Sequence, residues 1–181
     1  EIKIIKDNNK FKVGLSHCRW ATHGGVSEKN AHPHSDCTES LFIVHNGIIS
    51  NYENLKNKLK NHKFRSETDS EVIAHYMEEK LKKKDMIHAI SDFFREAQGE
   101  FAVLLMRKGG EKIYAFKRGS PMVIGVANDM NIIASDIYAF SDRTNKAIFF
   151  NENDLAVVSN NRYEFYKMPS MTKGKRKLNT I

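Results

Sequence analysis

Cysteine is scarce in this 181-residue chain. Cys18 and Cys37 are the only two, too few for a disulfide framework and in keeping with a reducing, cytoplasmic setting. Long apolar runs are missing as well. Stretches such as Phe101–Met106, stopped by Arg107, fall far short of the about 20 residues that a membrane-spanning helix needs, so no membrane partner is expected. The opening Glu1-Ile-Lys-Ile-Ile-Lys6 is too short and too charged for the apolar core of a secretory signal. Nor is there a large excess of one charge: 29 Lys and Arg stand against 22 Asp and Glu, a net +7. The one basic cluster, Lys173-Gly-Lys-Arg-Lys177, reads as a solvated linker rather than a nucleic-acid footprint. What is present, 40% hydrophobic and 28% charged residues, is ordinary for a folded domain. At this length one domain, or two small ones, is expected.

Strand and helix signals are segregated along the chain. Lys12–Trp20 and Leu41–Asn46 read as buried strands, each running into a glycine-containing loop. Three helical stretches follow. The first spans Tyr52 to about Asn61, with Leu55 and Leu59 on one face. The second opens on Thr68-Asp-Ser-Glu71, which has the spacing of a capping box, and stacks Val72, Ile73, Tyr76 and Met77. The third has Asp85 as its cap and lines up Ile87, Ile90 and Phe94. From Phe101 onward the period becomes that of short strands, broken at Gly109-Gly110, Gly119-Ser-Pro121, Asn128-Asp129 and Asn160-Asn161. Strands, helices, then a meander of strands is an α+β pattern. No periodicity is visible from Met168 on.

Polar groups concentrate beside the first two strands, and His17, His23, His32, His34 and His45 all fall there. Three readings compete. One is a metal site built from these imidazoles with Asp36 and Cys37, although no pair has a recurrent ligand spacing. Another is a thiol nucleophile, Cys18 or Cys37, with a histidine as base; alternation along the strand turns Cys18 away from Arg19 and toward the core. The third is a site for a zwitterion. Arg19 offers a bidentate fork for a carboxylate, Asp69 in the first turn of a helix can hold an ammonium group, and Asn46-Gly47 offers an amide and an unhindered backbone N–H as an oxyanion hole.

The residues carry a resemblance. Arg19-Trp-Ala-Thr-His-Gly24, Asn30-Ala-His-Pro-His34, His45-Asn-Gly-Ile-Ile49 with Asn51, and Ser66-Glu-Thr-Asp-Ser-Glu-Val72 closely resemble the glutaminase domain of the glutamine–fructose-6-phosphate aminotransferase family. These are class II glutamine amidotransferases, with an N-terminal nucleophile. Gly119-Ser-Pro-Met-Val-Ile-Gly125 and Ile133-Ala-Ser-Asp136 fit as well. Lys175-Arg-Lys-Leu178 resembles the start of the family's linker to its sugar-binding half, so the resemblance covers essentially the whole chain.

The resemblance implies a four-layer αββα sandwich of two antiparallel sheets. Residues 1–167 would be the glutaminase domain, incomplete at its N-terminus and missing one or more strands. Residues 168–181 would lead toward an absent sugar isomerase domain. Glutamine would be hydrolysed to glutamate and ammonia for the synthesis of glucosamine 6-phosphate, with no metal or organic cofactor for that step. Arg19, helped by Thr22 and His23, would hold the α-carboxylate, while Asp69 and the Gly47 carbonyl would hold the α-ammonium group. Asn46 and the Gly47 amide would form the oxyanion hole, Trp20 would be a lid on a loop from Arg19 to Ser27, and His32 would be a neighbour of the site. The full-length enzyme would be a homodimer. Family members attack with an N-terminal cysteine whose own α-amine is the base. No cysteine precedes Cys18, so the expectation is a chain that binds glutamine without hydrolysing it. The alternatives are the glutaminase of another class II amidotransferase and a non-catalytic amino-acid-binding domain.

Overall fold

Alternating apolar residues give a strand two faces, and in this chain both faces of the central strands find a partner. A computed structural model describes residues 12–18 and 25–181. A hairpin of β1 (His34–Ser35) and β2 (Leu41–Ile49) is followed by helices α1 (Tyr52–Lys58), α2 (Glu71–Leu81) and α3 (Met86–Glu96). The strand-rich part then supplies β3 (Gly99–Arg107), β4 (Ile113–Arg118), β5 (Val123–Val126), β6 (Asn131–Ala134) and β7 (Lys146–Phe149). It ends with β8 (Asp154–Ser159), β9 (Arg162–Lys167), β10 (Thr172–Gly174) and β11 (Asn179–Thr180). Among the described residues a seven-stranded sheet has the order β1-β2-β3-β4-β8-β9-β10 and a four-stranded one the order β11-β7-β5-β6, with antiparallel pairing throughout. The architecture is the α+β sandwich of two antiparallel sheets that the sequence predicts. Among the described residues no helix is long and apolar enough to cross a membrane.

The helices cover one face of the larger sheet. Phe101, Val103, Leu105, Phe116 and Leu155 point into a core with Leu55, Ile73, Met77, Ile90 and Phe93. Phe93, Phe101 and Phe116 meet edge-on there, with centroids 5.3 to 6.2 Å apart, the geometry that ring quadrupoles favour. The alternate residues, Ala102, Ala115, Ala156 and Val158, face the smaller sheet and pack on Met122, Ile124, Ile148 and Phe150. Small side chains on this face let the two sheets approach. Over the outer face of the smaller sheet lies Phe140, packed on Val123 and Ala147 with Ile137 of a short 3-10 turn.

Several local expectations change. Residues 12–18 keep the alternation of a strand, with Val13, Leu15 and His17 half-buried, but form no ladder with the described strands. That alternation leaves Cys18 exposed instead of in the core. Helix α1 ends at Lys58 rather than near Asn61, because the Leu59 amide closes onto the Lys56 carbonyl at 2.9 Å in a tightened last turn. Asp85 caps α3 as expected, its side chain accepting from the His88 amide.

The segment without periodicity, 168–181, adds an edge strand to each sheet: β10 pairs with β9 and β11 with β7. Arg176, in the basic cluster, is not solvated. Its Nε donates to Asp154 Oδ2 at 2.6 Å and its Nη2 donates to Asp154 Oδ1, and Asp154 is fully buried. Removing one partner of a buried pair strands the other charge. Arg176→Ala is therefore expected to cost about 3–5 kcal/mol of stability, read from the denaturant midpoint. Arg176→Lys, lacking the planar fork, should recover only part.

Candidate active site

The site is organised by the end of β2. The sequence places Asn46-Gly47 in a loop after the strand; in the structure β2 continues through both to Ile49, with Asn46 opposite Ala102 and Gly47 opposite Phe101. Glycine makes this possible. Gly47 has φ +119°, and a Cβ there would lie 2.1 Å from the Glu100 carbonyl oxygen, so only a residue without one keeps the ladder intact. Asn46, Gly47 and Ile48 are exposed between the buried His45 and Ile49. Asn46 shares the inter-sheet face of β2 with Val44. It lines a cavity of about 500 Å³ with His17, Leu104, Met122 and Ile133.

Asn46 is held by His17, whose Nε2–H donates to Asn46 Oδ1 at 2.7 Å. With the amide oxygen occupied, the Asn46 Nδ2 hydrogens are directed elsewhere, and His17 Nδ1 is buried with no hydrogen-bond partner among the described residues. His17, His32 and His34 form a row of rings with centroid separations of 4.1 and 4.7 Å. His45 Nδ1 meets Ser70 Oγ at 2.9 Å. Burial pushes the His45 imidazole down to about 4; Asp69 pulls it the other way, and His17 and His34 reinforce burial. His45 is thus uncharged at neutral pH.

Asp69 reaches the same strand end from the segment before α2. It is 3% exposed, and its Oδ2 accepts the Ile49 amide at 2.8 Å. The expected capping box does not form. Helix α2 starts at Glu71, and Thr68 Oγ1 bonds His34 Nε2 and Ser66 Oγ, each at 3.0 Å. Glu71 reaches back further than a box requires. It accepts the amides of Arg65 at 2.8 Å and Ser66 at 2.7 Å and the Ser66 hydroxyl at 2.7 Å. Burial raises this carboxyl, but His75 and those three donors outweigh it and hold it at about 2. The loop 65–71 is wrapped around one buried carboxylate, and Asp69 rides on it.

Of the residues singled out in the sequence, the structure brings Asn46, Gly47 and Asp69 to one end of β2, with His32 in the adjoining ring row. Arg19, Trp20, Thr22 and His23 lie outside the described residues. The role of His17 in fixing Asn46 is not evident from residue type. The period-two alternation of residues 12–18, which sets His17 on the same face as Leu15, was the available signal. Cys37 lies apart, packed with His62, His75 and Glu78.

Chemically, the arrangement offers the Asn46 amide on the lining of a cavity, Gly47 beside it, and a buried carboxylate at the same strand end. Comparison with known proteins gives the family of the chain. The sequence model of the glutamine amidotransferase domain matches residues 17–142. Curated relatives named glutamine–fructose-6-phosphate aminotransferase (isomerizing) include one from Methanocaldococcus jannaschii, 44% identical over 174 residues, covering 88% of this chain and 16% of that protein. The relative from Thermotoga maritima is 37% identical over 174 residues, covering 94% of this chain and 28% of that protein. For the one from Francisella tularensis the figures are 40% over 163 residues, 88% and 26%. The chain thus spans 16% to 28% of the length of these relatives. A solved structure of glutamine phosphoribosylpyrophosphate amidotransferase from B. subtilis matches with a TM-score of 0.69 over 83% of this chain and 34% of that one. At 22% identity it shows a shared fold. Taken with the family match over most of its length, the chain belongs to the glutamine amidotransferase domain family.

Proposed function

We propose that this chain is the ammonia-supplying glutaminase of an enzyme that makes glucosamine 6-phosphate from fructose 6-phosphate and glutamine. The observation that carries the reading is Asn46 on the cavity lining, next to Gly47 in β2, with the Asn46 amide oriented by His17. A thiolate adding to the glutamine carboxamide creates a tetrahedral oxyanion, and Asn46 Nδ2–H with the Gly47 N–H would stabilise it before ammonia leaves and water opens the thioester. Asp69, preset by Ile49, would pair with the α-ammonium group, assisted by the Gly47 carbonyl. Arg19 with Thr22 and His23 would clamp the α-carboxylate, and Trp20 would close over it. The step calls for no organic cofactor.

Neither cysteine of the chain suits the attack. Cys18 is exposed. Burial pushes the Cys37 thiol up; the Lys63 amide opposes this, while Glu78 adds to it, and a protonated thiol is a poor nucleophile. By themselves these 181 residues would bind glutamine without hydrolysing it. Relatives at 37–44% identity that carry the isomerizing aminotransferase name support the aminosugar branch. The isomerizing name of these relatives also supports a sugar isomerase domain on the same polypeptide; that it is reached through residues 168–181, and that the whole enzyme is a cytoplasmic homodimer, are parts of the same proposal.

In the whole enzyme, fructose 6-phosphate should stimulate ammonia release from glutamine. Stimulation by a phosphoribosyl acceptor instead would move the chain to another branch of the family. Asn46→Ala should lower kcat for glutamine hydrolysis by about 10²–10³ with little change in KM. Asp69→Asn should act mainly on KM, and both are read from ammonia release. His45 carries a pH signature. Its folded value of about 4 lies below the ordinary 6.5, so protonation favours the unfolded chain. Stability should fall by about 3 kcal/mol as pH drops from 6.5 toward 4, and His45→Gln should flatten that window in pH-dependent denaturation.

A further inference from the structure

Away from the glutamine site, three elements converge on one point. Cys37 sits in the β1–β2 turn, His62 in the α1–α2 connection, and His75 and Glu78 one turn apart on α2. One ligand atom from each lies within 4.8 Å of all the others. Cys37 Sγ is 3.6 Å from His62 Nδ1 and 3.5 Å from His75 Nδ1. Glu78 Oε2 is 2.9 Å and 3.3 Å from the same two nitrogens. A tetrahedral zinc site with ordinary bond lengths has S···N edges of about 3.5 Å and N···N or N···O edges of about 3.3 Å. The His62 and His75 side chains are 4% and 1% exposed.

The surroundings support the four as a ligand set. The outward nitrogens are both taken by carboxylates: His62 Nε2 lies 3.0 Å from Glu79 Oε2, and His75 Nε2 lies 3.3 Å from Glu71 Oε1. That is the outer-sphere arrangement that fixes a metal-bound imidazole with its Nδ1 lone pair inward. The Lys63 amide donates to Cys37 Sγ at 3.5 Å. Four bonds lock the turn that carries Cys37: Asp36 accepts the amides of Ser40 and Leu41 and the hydroxyls of Thr38 and Ser40, at 2.7 to 2.9 Å. The two imidazole rings lie buried side by side, with centroids 5.3 Å apart.

We propose that Cys37, His62, His75 and Glu78 form a structural site for a divalent, zinc-like metal ion. A thiolate, two neutral imidazoles and a carboxylate match the borderline-soft, tetrahedral preference of Zn2+ and neutralise its charge. On binding, the metal takes the Cys37 sulfur in place of its proton, which passes to solvent. The site ties the β1–β2 turn to α2. Through His75 and Glu71 it also braces the loop 65–71.

The test uses the full-length enzyme, purified without a histidine tag and dialysed against metal-free buffer. The expected result is one zinc per chain by elemental analysis, lost on prolonged chelation together with a fall in Tm that Zn2+ reverses. Loading the stripped enzyme with Co2+ should give the intense visible bands of tetrahedral cobalt and a thiolate-to-cobalt charge-transfer band, which Cys37→Ser abolishes. Glu78→Gln keeps the size of the side chain and should weaken Zn2+ binding by more than about tenfold. No zinc retained and a six-coordinate Co2+ spectrum would overturn the site, as would bands that survive in both variants. None of these readouts depends on glutamine hydrolysis.

Discussion

The large sheet has two faces and buries both, and most of the molecule follows from that constraint. Phe101, Val103 and Leu105 on one face and Ala102 and Leu104 on the other commit β3 to helices on one side and a second sheet on the other. A slip of one residue would exchange these sets and place phenylalanines where alanines allow the sheets to close. The register of β2 against β3 is pinned by the same logic. The close approach of Gly47 to Glu100 lets the ladder run unbroken to Ile49. Asn46 therefore lands on the inter-sheet face, at the mouth of the cavity.

A second buried interaction sets what meets the far end of β2. The Glu71 carboxylate gathers two amides, a hydroxyl and an imidazole. This draws the chain between α1 and α2 into a tight loop and leaves Asp69 to accept the Ile49 amide. Removing buried carboxylate–amide bonds would free the loop and the acidic group it presents. His75 joins Glu71 to the cluster around Cys37, so the ammonium-binding position we propose and the metal site we propose share one hydrogen-bonded brace. Buried polar networks of this kind rigidify only when each member is satisfied, which gives the bonds from Glu71 and Glu79 to the two imidazoles a structural purpose.

The strands were legible because the signals were local and periodic. Those beyond residue 100 follow alternating apolar residues broken by turn residues, and α3 follows its Asp85 cap and its apolar stripe. The candidate site was read from residue type: the Arg19 guanidinium, the Asp69 carboxylate and the Asn46 amide beside Gly47 suggest a zwitterion site, while the crowd of histidines suggests a metal equally well. The capping box was misread because Thr68 and Glu71 have the right spacing but better partners elsewhere. His34 and Ser66 reach Thr68, and the amides of Arg65 and Ser66 reach Glu71. A local motif predicts a bond only when no distant group competes for the same atoms.

By itself, then, the amino-acid order determined the class of fold, the helices and strands, and the kinds of chemical group gathered near β2. Those properties depend on near neighbours and on periods of two and 3.6 residues. Only the tertiary structure decided that Asn46 lies within a strand, that His17 orients it, and that Arg176 pairs with the buried Asp154. It alone joined Cys37, His62, His75 and Glu78. These are meetings between residues far apart in the chain. They depend on which faces the packing turns toward each other, and no local period encodes that.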